Sequence, residues 1–381
     1  MSPQDNYESA LEGASQQVAS FEDERKGAVA RFQSLLHRFP AAVSLIVLLV
    51  AIPVFGLLID REPLMYSLGM VDLEDISNSR YRFFSLRTLS FILDQVMIVG
   101  IVGAAQALVI LTAGIDLSVG AIMVFSSVIM GQFTFRYGLP VEVSVVAGLA
   151  VGALCGFING FLVARIKLPP FIVTLGMWQI VLATNFLYSA NETIRSQDIA
   201  SEASLLQVFG KAAFTIGGDA EGRGGANFTV GVLFMILLVI GLAYALRNTA
   251  WGRHVYAVGD DPEAAELSGV NVKGTLISVY VMSGLICAFA GWALIGRIGS
   301  VSPTSGQLAN IDSITAVVIG GISLFGGRGS ILGMIFGAFI VGVFTMGLRL
   351  LGADAQWTYL LIGVLIIAAV AVDQWIRKVS S

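Results

Sequence analysis

The chain has 381 residues, 56% of them hydrophobic and 13% charged, with a net charge of −4. Soluble domains carry about 25% charged residues, so this composition, with a mean hydropathy of +0.83, excludes an ordinary soluble domain. It offers no basic surface for nucleic acid. The apolar residues come in runs of roughly 20, the length that crosses a bilayer core, and they lack the alternation of a membrane barrel. The expected fold is therefore all-α, a polytopic transmembrane helical bundle of about ten spans.

Residues 1–40 are polar, and Arg25, Lys26, Arg31 and Arg38 precede the first apolar run. No cleavage-site pattern follows that run, so the segment reads as a cytosolic tail on the basic, inner side of the membrane. Spans are expected at 41–58, 89–111, 117–131, 141–164 and 171–190. After a connecting segment at 191–226 they resume at 228–246, 276–295, 311–325, 331–351 and 357–376. An even number returns the C-terminus, 377–381 with Arg377 and Lys378, to the tail's side, and the connecting segment then faces the periplasm. The spans at 117–131 and 311–325 are short enough to be half-helices. The two halves, 41–190 and 227–376, are equal in length, and each opens its third span with Ile-Asp, at Asp116 and Asp312. Five spans per half would make them an inverted repeat, a plan common among transporters.

Asp116 lies between Gly114 and Gly120 within long apolar sequence. A carboxylate at membrane depth is costly unless it faces a partner or a wet cavity, which marks it as a pathway residue. The competing reading is a turn in which Asp116 caps the next helix. Ser118, Asn159, Gln179, Asp312 and Thr315 complete the expected pathway set. Neutral donors and acceptors with nearby aromatic faces suit a polyol better than an ion, although such groups also bond neighbouring helices. Gly152, Gly156 and Gly160 form a small-residue ridge, repeated at Gly333 and Gly337, most simply read as internal helix packing. Cys155 and Cys287 both fall within spans, and His37 and His254 fall outside them. No histidine metal site or intramembrane relay is therefore expected. The phosphate-binding loop of an ATPase is also absent, so any energy source must be external.

The segment 247–273 supplies a link to such a source. Asp261 suits an N-cap, Pro262 the first helical position, and Gly269 a C-terminal stop. The resulting short helix runs through Glu263, Ala264, Ala265, Glu266 and Leu267. It is acidic at its start, apolar beyond, and suited to a groove on another protein.

Three separated motifs carry a resemblance: residues 111–120, the Gly-Asp-Asp-Pro-Glu-Ala-Ala segment from Gly259, and Ala316 to Gly329 with its paired glycines. Together with the run Pro169 to Gly176 they look like the monosaccharide permeases of ABC importers, the ribose, xylose, galactose and fructose branch. Stretches such as 185–195 and 251–264 are most similar to the fructose-type permeases of alphaproteobacteria. The resemblance implies a homodimeric inner-membrane pore fed by a periplasmic sugar-binding protein and driven by a cytosolic ABC ATPase. ATP and magnesium would be held by that ATPase, with no cofactor on this chain. Asp261 to Leu267 would be the helix that meets it. Transport would proceed by alternating access, without covalent chemistry. The other readings are an autonomous secondary sugar carrier or facilitator, which the poor ionisable inventory disfavours; an intramembrane enzyme, for which no nucleophile–base pair is visible; and a receptor, for which the short loops leave no output domain.

Overall fold

A computed structural model describes residues 41–68, 81–218, 224–306 and 308–380. The tail expected at 1–40 lies outside them. Helix α1 (Ala41–Ile59) is followed by the short α2 (Arg61–Ser67), then α3 (Leu86–Leu111), α4 (Val119–Phe135), α5 (Val141–Ala164) and α6 (Pro170–Ser189). The connecting segment is itself structured. It holds α7 (Ser196–Glu202), a 3-10 turn (Ser204–Gly210) and an antiparallel hairpin of β1 (Ala212–Ile216) and β2 (Ala226–Thr229). Buried Ile199, Leu206 and Phe209 anchor it to the bundle, and Phe214 stacks on its register partner Phe228 at 4.8 Å. The second half comprises α8 (Val230–Asn248), α9 (Ala250–Asp260), α10 (Pro262–Leu267), α11 (Val272–Ile298), α12 (Ala309–Ile319), α13 (Ile331–Leu350) and α14 (Ala355–Ser380).

Each expected span contains a helix. Seven of the described helices are long and apolar enough to cross a bilayer, while α4 and α12 are shorter apolar helices, as their sequences suggest. Local chemistry fixes the starts: Ser85, Thr229, Thr249, Asp261, Asn271 and Ser330 each cap a helix by accepting from a backbone N–H two or three residues on. Helix α9 falls where sequence suggested only a loop. It is amphipathic rather than apolar, burying Gly252, Val255, Val258 and Gly259 while its other face stays polar.

The core sits around α3, most of whose residues are buried within the single chain. Helix α11 packs against α5, α4 and α3, and α13 packs against α3, α12 and α1. Small residues make the closest of these contacts possible. A Cβ on Gly152 would stand 2.6 Å from both the Ala288 Cβ and the Gly284 carbonyl oxygen, and a Cβ on Gly160 would stand 3.0 Å from Ile277. The glycine ridge is thus spent inside the chain, on α11. Gly333 and Gly337 serve likewise against Gly320 and Ala316 at the end of α12. The outer faces of α1, α5, α6 and α8 expose Leu, Ile, Val and Phe side chains, as expected where lipid is the solvent. Cys155 and Cys287 are buried and unpaired.

Candidate functional site

The polar residues gather at two opposite ends of the bundle, one carrying α9 and α10, the other carrying the hairpin. At the α10 end, α3 stops at Leu111 and the chain turns through residues 112–118 before α4 begins. Ala113 adopts a left-handed φ of 59° there, a conformation costly for a residue with a Cβ and held only where surroundings insist on it. Asp116 is 2% exposed. It accepts from the Ser118 backbone N–H at 2.8 Å and from the Ser118 hydroxyl at 2.5 Å, and Asn159 of α5 donates to that hydroxyl at 3.0 Å. Thr174 of α6 donates to the Ile115 carbonyl at 3.0 Å. Asp116 therefore closes a local turn onto Ser118, the residue at the start of α4, inside a buried polar nest, and bonds none of the free amides of the helix's first turn. The Asn159 Oδ1 and the Tyr280 hydroxyl are buried without a hydrogen-bond partner among the described residues. A cavity of about 50 Å³ lies near this nest, between Gly120 and Val124 of α4 and Trp178, Leu182 and Asn185 of α6.

The other expected pathway residues are divided. Thr315 is fully buried, its hydroxyl bonded back to the Ile311 carbonyl at 2.7 Å. Gln179 is exposed on α6, away from the other five. The inward stripe of that helix runs Val173, Met177, Val181 and Asn185, a spacing that turns position 179 outward. Asp312, in the first turn of α12, is half-buried and lines a cavity of about 540 Å³ at the hairpin end.

That cavity brings together groups that sequence reasoning left apart. Gln95 of α3, Arg297 of α11, Thr304, Ser305 and Asp312 supply its polar lining. Arg297 donates from Nη2 to Gln95 Oε1 at 2.5 Å, and its guanidinium acts electrostatically on both Asp94 and Asp312. Asp94 lines a neighbouring cavity of about 470 Å³ with Arg87, Ser90 and Asn227. Arg297 was missed because the apolar run of α11 ends at Ile295, whereas the helix continues to Ile298 and closes on Gly299, at a left-handed φ of 77°. The signal available was a basic residue two positions before that glycine, in the last turn of the helix.

At the α10 end the local prediction is accurate. Asp261 accepts from Glu263 N at 2.9 Å and Ala264 N at 3.0 Å, and Gly269 closes the turn at φ 84°. Glu263, Ala264, Glu266 and Leu267 face outward, Leu267 being 90% exposed, whereas Ala265 is buried. The end of α9 meets the breaks in the bundle directly. Gly259 packs on the Leu111 carbonyl and the Gly327 amide, and Gly327 N donates to Leu111 O at 3.0 Å. Tyr256 donates to the Gly329 carbonyl at 2.9 Å, and burial pushes its phenol up, so it remains a donor. No group of His, Cys, Asp and Glu that could hold a metal occurs among the described residues.

A bundle of apolar helices with polar breaks at opposite ends and a polar cavity defines a multi-pass membrane protein, and the family it matches makes it a transport subunit. The chain belongs to the family described as branched-chain amino acid transport system / permease component, whose model matches residues 88–370. It is 65% identical over 379 residues to the fructose import permease protein FrcC of Rhizobium meliloti, covering 100% of this chain and 98% of that one. It is 34% identical over 304 residues to the ribose import permease protein RbsC of Escherichia coli (strain K12), covering 78% and 89%. It is 32% identical over 342 residues to the xylose transport system permease protein XylH of Haemophilus influenzae, covering 78% and 91%. No solved structure matches the chain.

Proposed function

We propose that this chain is the permease subunit of an ATP-driven importer that moves a monosaccharide, fructose in the first instance, across the inner membrane by alternating access. The observation that carries this reading is the 65% identity to a fructose import permease along the whole chain. The ribose and xylose relatives support the wider sugar class. The family description names branched-chain amino acids instead, so leucine is the natural competitor.

In this reading the α10 end faces the cytosol with both termini, and α10 docks on an ABC ATPase that holds ATP and magnesium; this chain holds no cofactor. The exposure of Glu263, Glu266 and Leu267 supports that docking. The hairpin end faces the periplasm and receives a sugar-binding protein, and two copies of the chain form the pore. An inverted repeat agrees with the breaks that precede each third span: residues 112–118 lie at the α10 end, residues 299–306 at the hairpin end. Asp116, Ser118 and Asn159 then stand near the inner mouth and Asp312 near the outer one.

The test is uptake of radiolabelled fructose, ribose and leucine into proteoliposomes holding this chain, with and without the partner ATPase, the binding protein and ATP. Fructose accumulation that requires all three is the expected result. Accumulation by the chain alone would make it an autonomous carrier, and leucine in place of sugar would overturn the substrate class.

A further inference from the structure

The cavity at the hairpin end has hydrogen-bonding capacity that the protein does not use. Asp312 is half-buried and feels the charge of Arg297, yet no described residue donates a hydrogen bond to its carboxylate, and among the described residues Arg297 donates only to Gln95. A guanidinium carries five N–H donors and a carboxylate about four acceptor sites, so both kinds of group remain open toward the cavity. Leaving partly buried charged groups undersatisfied is expensive, which makes such residues functional candidates.

We propose that this cavity is a sugar-binding station, in which Asp312 accepts from, and Arg297 donates to, hydroxyl groups of a single monosaccharide passing inward. The assignment rests on the sugar reading above. Paired donors and acceptors suit a neutral polyol, whose hydroxyls both give and receive protons. An anion would meet the carboxylates of Asp312 and nearby Asp94, and a cation would meet Arg297. Ile98 and Leu294 line the same space, offering apolar contact to ring C–H groups. A volume of about 540 Å³ lies in the range of ligand pockets, about 300–1,000 Å³. The open mouth and few polar contacts fit a weak site, which releases its ligand readily.

The three elements that supply the ligands are α3, α11 and α12, and α11 and α12 flank the break that opens at Gly299. A sugar held between Arg297 and Asp312 therefore spans that break. It would bias the relative position of the two helices as it binds.

The experiment uses full-length chain in proteoliposomes with Leu308→Cys at the cavity rim as a reporter, the native cysteines being buried. Labelling by a membrane-impermeant maleimide is timed with fructose, leucine or sodium chloride present. Fructose should slow labelling at least about threefold, leucine and salt should not, and Asp312→Asn or Gln95→Ala should weaken the fructose effect about tenfold in concentration. In the complete importer the same two substitutions should cut fructose uptake while the chain inserts normally. If the unsubstituted importer carries fructose but labelling is unprotected and both variants transport normally, the station is overturned and the sugar reading stands. If leucine protects instead and fructose is not carried, both fall.

Discussion

A carboxylate at position 60 closes the chain after α1. Asp60 is fully buried and accepts from three consecutive backbone amides, Arg82 at 2.7 Å, Phe83 at 3.0 Å and Phe84 at 2.9 Å, just ahead of α3. Hydrogen bonds to a charged acceptor are about twice as strong as neutral ones, and removing the acceptor strands the donors. Asp60→Ala should therefore cost about 3 kcal/mol or more, seen as a lowered unfolding midpoint in detergent, with Asp60→Asn intermediate because one acceptor remains. How far such roles are legible in sequence depends on distance along the chain. The Asp116–Ser118 turn and the Asp261 cap are local, so their residue types announce them. Asp60 meets its amides more than twenty positions away, and Arg297 meets Gln95 some 200 positions away, pairings that only the packing creates. Gln179 is the converse case: its residue type suited a pathway, and the phase of α6 turns it away from the core of its own chain.

Among the elements, the pairing of α5 with α11 is the most demanding, because backbone approaches backbone along the glycine ridge. Gly156 faces the Tyr280 main chain with no room for a Cβ. Gly156→Leu should force the helices apart, at about 1–3 kcal/mol from overpacking; the readout is loss of the monodisperse detergent-solubilised species, and unchanged stability would mean that the helices separate freely. The ridge could be read in the sequence, but its partner could not, since small-residue motifs name no target. Helix α9 was hidden for a different reason. Its amphipathic pattern follows an apolar span directly, so composition marks it as a loop, and its inward valines reveal a helix only once α3 and α11 are beside it.

For the molecule as a whole, the end of α9 is joined to the turn after α3 through packed backbone rather than through a chain of side chains. Gly259, Leu111 and Gly327 touch with no side chain between them, so a displacement of α9 and α10 passes straight to the turn holding Asp116. Two-state rearrangements of this kind are amplified because packed interfaces do not deform continuously. Glu263→Lys with Glu266→Lys should leave insertion and stability intact, since both residues are exposed, while abolishing ATP-dependent uptake. Normal ATPase recruitment and transport in that variant would remove α10 from the coupling role. One consequence of the short α12 concerns how the chain is made. At 11 residues it is about 16 Å long, roughly half the hydrocarbon thickness, and too short to be released into lipid as an independent span. Its Gly320 carbonyl and Ala316 pack against the glycine face of α13, so α12 gains that packing only once α13 has been synthesised. Helices α12 and α13 are thus expected to enter the bilayer together, as a cooperative hairpin.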